Sequence, residues 1–305
     1  MDLRTLLLAG LAAGLLAGCQ TERRSVAFAA RDTMTIARPV AVRPAPVTRA
    51  PLAPLAPLGP SRATPAPESA VPPGPRCGPD TRVAATALTG RILPVSKVED
   101  IVLDDHEVIL TFDDGPARKR TPAILDTLDR YGVKATFLMV GQMADASPDL
   151  VREVAARGHS IGSHTAAHTD LSQLDESDAF AEIARGERAV NAALSGTGLG
   201  PAQFFRFPYL ADTKALRGDL AKRGTIVLDV DIDSRDYHQV TPETVATDTM
   251  AKLRERKSGI ILFHDIHART VAMLPDFLET LTREGYRVVE LVPDTDAACV
   301  PSPAF

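Results

Sequence analysis

The feature that most constrains the fold is an alternation, sustained beyond Cys77, of short β-rich runs with amphipathic helical stretches. The runs span residues 108–112, 135–140, 159–163, 204–207, 225–230, 259–264 and 287–291. Between them lie helical patterns at 122–131, 148–157, 177–194, 213–223, 242–256 and 270–284. Four of these close on Gly132, Gly158, Gly224 and Gly285, as helix C-termini commonly do. Alternation this long predicts parallel strands joined by helical crossovers. Seven strands fit either an open doubly wound sheet or a barrel. No phosphate-cradling glycine pattern follows the first strand, which disfavours nucleotide binding. In a barrel, reactive residues sit where strands end and loops begin.

The chain ahead of this region reads differently. A head containing Arg4 leads through apolar residues 6–16 into Leu16-Ala17-Gly18-Cys19. The apolar core is shorter than the roughly 20 residues needed to span a bilayer, so it reads as an export signal. Small residues directly before Cys resemble the lipobox of bacterial lipoproteins, in which the Cys sulfur is lipidated and becomes the new N-terminus. On this reading 1–18 is the signal peptide and Cys19 is a membrane anchor; the other reading is an ordinary secretory signal. Gln20, rather than Asp, after the anchor resembles the sorting pattern for the periplasmic face of the outer membrane, should the host be Gram-negative.

About half of the 24 prolines fall between Pro39 and Pro79. Residues 19–76 are therefore expected to be a disordered, Pro/Ala/Arg-rich tether favouring polyproline II. At about 3.1 Å per residue it could reach on the order of 100 Å or more. Residues 1–76 carry nine Arg against four acids, leaving 25 bases against 35 acids in the remainder. That acidic balance in 77–305 argues against nucleic acid as a partner. The absence of Trp favours a compact enzyme over a sugar-stacking module.

Two motifs carry chemistry. The first strand ends in Asp113-Asp114-Gly115-Pro116, and adjacent carboxylates share one site only if the strand has ended, as Gly-Pro suggests. The third run leads into His164-Thr165-Ala166-Ala167-His168, and a spacing of four puts both imidazoles on one side of a helical turn, able to grip one metal. Three further segments follow later runs: Arg206-Phe207-Pro208-Tyr209, Asp233-Ser234-Arg235-Asp236-Tyr237 and Leu262-Phe263-His264.

In order and placement these five segments, across roughly 107–292, resemble the motifs of the polysaccharide deacetylases, the NodB-homology or family-four carbohydrate esterases. The expected fold is α/β, a distorted (β/α) barrel of about seven parallel strands, with 77–305 as the catalytic domain. The resemblance implies Asp113 as catalytic base, held charged by Arg206, and Asp114, His164 and His168 as ligands of a divalent metal, most simply Zn2+. It implies His264 as general acid, tuned by Asp236. The Tyr209 N–H would face the oxyanion, and Leu262 would line the acetyl-methyl pocket. Tyr237 departs from the pattern, since Trp is common there, and its smaller ring with a hydroxyl alters the pocket floor.

The function expected is N-deacetylation of an extracytoplasmic glycan by a monomer, with peptidoglycan favoured over other N-acetylglucosamine polymers. O-acetyl ester hydrolysis uses the same chemistry. An iron oxygenase would also use two His and one carboxylate, but it leaves Asp113 and His264 unemployed. A non-catalytic glycan-binding lipoprotein does not need these residues intact. His159 is expected to pack or cap, and His106, His238 and His267 have no assigned role. A disulfide between Cys77 and Cys299, in a compartment where disulfides persist, stands against two unpaired thiols.

Overall fold

Among the described residues, nine strands form one sheet in which every ladder is parallel. The computed structural model describes residues 86–294, all within one unit, Ser69–Phe305. The expected signal and tether, with Cys19, Cys77 and Cys299, lie outside the described residues. The strands are β1 (Thr89–Val95), β2 (Glu107–Asp113), β3 (Thr136–Met139), β4 (Ser160–Ser163), β5 (Phe204–Phe205), β6 (Ile226–Val227), β7 (Ile232–Asp233), β8 (Gly259–His264) and β9 (Arg287–Pro293). The helices are α1 (Thr121–Arg130), α2 (Gly141–Ala146), α3 (Pro148–Ala156), α4 (Glu176–Leu194), α5 (Lys214–Lys222), α6 (Pro242–Arg256) and α7 (Ala268–Arg283).

The central strand is β2. It pairs along its length with β8, which pairs with β7. Its other edge is divided: β9 takes Glu107 and Val108, while β3 takes Thr111 to Asp113. From β3 the sheet continues through β4 and β5 to β6. The chain thus builds a curled barrel of seven strands, β2 to β8, with β9 and β1 attached at its foot. Among the described strands no ladder joins β6 to β7, which leaves a seam.

Seven strands were expected from the pattern, and seven make the barrel, but the two sets differ by one. The run at 287–291 is β9, outside the barrel, and the barrel's β7 is a two-residue strand too short to show a period. β1 was also missed, since its polar Thr89-Gly90-Arg91 start breaks the apolar pattern.

Side-chain alternation divides the barrel strands into two faces. Outward residues such as Leu110, Phe112, Phe137, Ile261 and Phe263 join apolar residues of the surrounding helices in the larger core. Inward residues Ile109, Leu138, Phe204, Ile226 and Ile260 form a second cluster, closed from below by Val95 of β1 and Val289 and Leu291 of β9. The foot of the barrel is therefore a dry plug, and polar residues start one layer higher.

The glycine stops hold as read. Gly158, at φ 77°, follows α3, and the next N–H, of His159, reaches back to the Val154 carbonyl. Such a 6→1 bond is the Schellman arrangement that ends a helix cleanly and turns the chain toward the next strand.

Candidate active site

On β2 the inward positions run Ile109, Thr111, Asp113; on β8 they run Ile260, Leu262, His264. Both pass from apolar foot to reactive mouth. Asp113 and His264 are register partners on adjacent strands, so a carboxylate and an imidazole stand side by side at the C-terminal end of the barrel. The first residue past several strand ends still donates to its neighbour: Asp114 N–H to Leu138, His164 N–H to Met139, Arg206 N–H to Ser163. These bonds tie the loops that carry the site to the barrel rim.

Asp113 is 2% exposed, and Arg206 is fully buried. The Arg206 Nη1 donates to Asp113 Oδ1 and to Thr111 Oγ1, each at 2.8 Å, its Nε donates to the Leu228 carbonyl and its Nη2 to that of Asp229. A guanidinium inside a barrel is tolerable only when paired and bonded in this way. Asp114 follows with φ 78°. This left-handed residue ends the strand and swings the second carboxylate to the same side as the first, as the Gly-Pro pair implied.

The two histidines converge differently from expectation. Residues 164–168 are a turn, not a helical segment, with Thr165 at φ 64° and His168 at φ 56°. Their ring centroids are 5.0 Å apart. The backbone is clamped from two sides: Gly141 and Gln142 N–H of α2 donate to the Thr165 and Ala166 carbonyls, and buried Glu182 of α4 accepts from the Ala167 N–H and the Thr169 hydroxyl. Gly186 completes the fit, because a Cβ there would lie 2.4 Å from the Thr165 carbonyl carbon.

One donor atom each from Asp114, His164 and His168 lies within 4.8 Å of the others. His164 Nδ1 is engaged at 2.8 Å by the Arg206 carbonyl, which directs Nε2 toward Asp114 Oδ1, 3.6 Å away. His168 Nε2 is 3.3 Å from the same oxygen. That oxygen is buried and has no hydrogen-bond partner. Burial lowers the His164 pKa against the opposing charges of Asp113 and Asp114, favouring the neutral imidazole that a metal requires. An orphaned carboxylate oxygen facing two imidazoles, one with its tautomer fixed by a backbone carbonyl, fits a divalent ion.

Opposite stands His264. Its Nδ1 lies 2.6 Å from Asp236 Oδ1, and its backbone N–H donates to Asp236 Oδ2. Thr270 donates to that second oxygen, and Asp236 is fully buried. Burial would lower the His264 pKa, but the Asp236 hydrogen bond and charge, with Asp113 and Asp114 beyond, raise it to about 9. Burial pushes the Asp236 carboxyl up, and the bonds from His264 and Thr270 bring it below the usual carboxylate range.

Tyr209 (φ 58°) and Tyr237 stand exposed at the mouth. The Tyr209 ring meets His168 edge-on at 4.6 Å, and that of Tyr237 meets His264 at 5.4 Å. The Tyr237 hydroxyl donates to Asp233. Leu262 is 5% exposed and lies one inward position below His264. His159 packs: it is buried, its Nδ1 accepts from the Ala135 N–H, and its ring meets Phe137. The rings of His106 and Tyr286 are 4.8 Å apart, and the His267 ring is edge-on to His264.

Sequence reasoning missed the supports: Thr111, Glu182, Gly186, Thr270 and Asp265. Asp265 is buried, accepts from the Thr121 hydroxyl, and fits because Gly115 has no Cβ, which would sit 2.1 Å from its carboxylate. Burial pushes the Asp265 carboxyl up to about 7. Two signals were available: an acid directly after an apolar strand, and a glycine inside a helical pattern.

The sequence pattern described as polysaccharide deacetylase matches residues 101–227. A chitin deacetylase of Colletotrichum lindemuthianum is 36% identical over 194 residues, covering 60% of this chain and 76% of that protein. A peptidoglycan-N-acetylglucosamine deacetylase of Listeria monocytogenes is 32% identical over 210 residues, 68% of this chain and 43% of the relative. Among solved structures, a peptidoglycan deacetylase of Bdellovibrio bacteriovorus superposes with TM-score 0.58 at 35% identity, covering 63% of this chain and 53% of that one. The chain thus spans about half the length of the two bacterial relatives. Asp236 and His264 lie beyond the matched 101–227.

Proposed function

The chain belongs to the polysaccharide deacetylase family, and from that premise we propose that it is a metal-dependent N-deacetylase acting on an N-acetylglucosamine polymer of the cell envelope, peptidoglycan first. The observation that carries this reading is the meeting at one mouth of an Arg-held carboxylate, a carboxylate-imidazole triad and an Asp-held imidazole. Asp114, His164 and His168 would hold the ion, most simply zinc. When bound there, a divalent ion supplies Lewis acidity toward water and an acyl oxygen.

The chain's own residues divide the remaining work. Asp113, oriented by the Arg206 bond, takes a proton from the attacking water. The Tyr209 N–H offers a donor to the carbonyl oxygen as it gains charge. Amide cleavage needs the departing sugar nitrogen to be protonated, and His264, held by Asp236, delivers that proton. Leu262 gives the acetyl methyl an apolar contact. Tyr237, tethered to Asp233, walls the opposite side.

The peptidoglycan reading is supported by two bacterial relatives that bear that activity in their names and by the export and lipidation signals at the front of the chain. A lipid on Cys19 and the Pro-rich segment up to residue 76 would keep the domain of 77–305 close to the wall. The test is acetate release by the purified, zinc-loaded chain from peptidoglycan, poly-N-acetylglucosamine and chitooligosaccharides. Release from none of them, or equal release after the metal is stripped, refutes the reading.

A further inference from the structure

We infer that a cleft next to the mouth is a second subsite, which receives a carboxylate carried by the glycan and makes an anionic polymer a better substrate than a neutral one. The inference rests on the deacetylase reading above and adds to it the charge of the substrate. The cleft, about 570 Å3, lies between residues 234–240 and α6, a volume suited to a sugar unit. A ladder of rings connects it to the mouth. The Tyr237 ring meets His264 on one side and His238 at 4.7 Å on the other, and His238 lines the cleft.

Its walls carry cations whose bonding is incomplete. Arg235 holds its backbone at φ 58° with a side chain 66% exposed. Its backbone N–H donates to Asp233 Oδ1, but its guanidinium stands 4.0 Å from Asp233 Oδ2, which already accepts from the Tyr237 hydroxyl. Lys252 donates to the Asp233 carbonyl at 2.6 Å, which occupies one of three N–H groups. Arg269, at the start of α7, donates through Nη2 to Gln239 on the cleft wall, while its buried Nη1 has no partner. Asp248 is the one carboxylate among the lining residues.

The domain as a whole is acidic, so a polymer of repeated carboxylates is repelled unless cations are gathered where it docks. A neutral glycan needs none. Arg235 sits between Asp233, which accepts from the Tyr237 hydroxyl, and Asp236, which holds His264, so the loop that carries this cation also carries the partners of the mouth.

The test uses the full chain with zinc and two matched substrates. One is a strand alternating N-acetylglucosamine with its 3-O-lactyl ether; the other is the same strand with the lactyl carboxylates reduced to alcohols. At low salt kcat/KM should favour the charged strand by about fivefold or more. Arg235→Gln and Lys252→Gln should each lower that ratio by raising KM for the charged strand, and high salt should erase it. A wild-type ratio near one, or a ratio that both substitutions leave intact, overturns the subsite. Acetate release from neither strand refutes the deacetylase reading instead. Calorimetric titration with the same pair then decides the subsite by binding alone, equal affinities overturning it.

Discussion

Asp113 and Asp114 are the same side chain in adjacent positions, and backbone alone separates their tasks. The first ends a strand under a buried guanidinium; the second, at φ 78°, turns an unpartnered oxygen toward two imidazoles. Asp114→Asn should lose metal by more than the roughly 10- to 100-fold that outer partners are worth. Asp113→Asn should keep its metal while deacetylation falls by about 10² to 10⁴. Metal analysis beside a rate measurement separates the two. On the proposed mechanism His264 sets the alkaline limit: with its pKa raised to about 9, the proton it would give is present below that pH and lost above it. kcat/KM should therefore fall above pH 9, and Asp236→Asn should move the limb to lower pH by removing the main raising partner. The raised value also means that the stabilisation of protonated His264 is complete below the unfolded pKa near 6.5 and is lost as pH rises through 9. These reactive residues were legible because they occupy strand ends in a fixed order. Thr270 was not, since a buried hydroxyl that orients another group shows no spacing, and Asp265 left only the faint signal of an acid directly after an apolar strand.

The turn at 164–168 shows what a motif omits. A spacing of four suggested a helical face, yet the imidazoles converge through two left-handed residues held by α2 and α4. Nothing within five residues encodes that; the information lies about twenty residues away, in Glu182 and Gly186. Gly186→Ala should push α4 from the Thr165 carbonyl, weakening zinc binding while far-ultraviolet circular dichroism stays nearly unchanged. Wild-type affinity in that variant would show that the clamp does not set the imidazole geometry.

Across the whole molecule, the alternation of runs and helices gave parallel strands with helical crossovers and the family resemblance gave the barrel, while the two-residue β7 and the polar start of β1 left no period to read. β1 nonetheless seals the barrel foot through Val95. A chain starting at residue 96 loses that side chain, fully buried and worth about 1.5–3 kcal/mol, together with Leu88 of the outer core. It should melt well below a chain starting at residue 77, whose transition should match that of the full length. The seam between β6 and β7 has a different consequence. Hydrogen-bonded ladders fix the circumference elsewhere, but at the seam Arg206 acts as a crossbar, gripping the Leu228 and Asp229 carbonyls at one end and Thr111 and Asp113 on β2 at the other. Arg206→Lys would keep a positive charge in the barrel but lose the forked reach, so the seam should breathe and backbone amides at Ile226 and Val227 should exchange with deuterium sooner. The group that steadies the Asp113 carboxylate is also the strut that sets how wide the mouth can open.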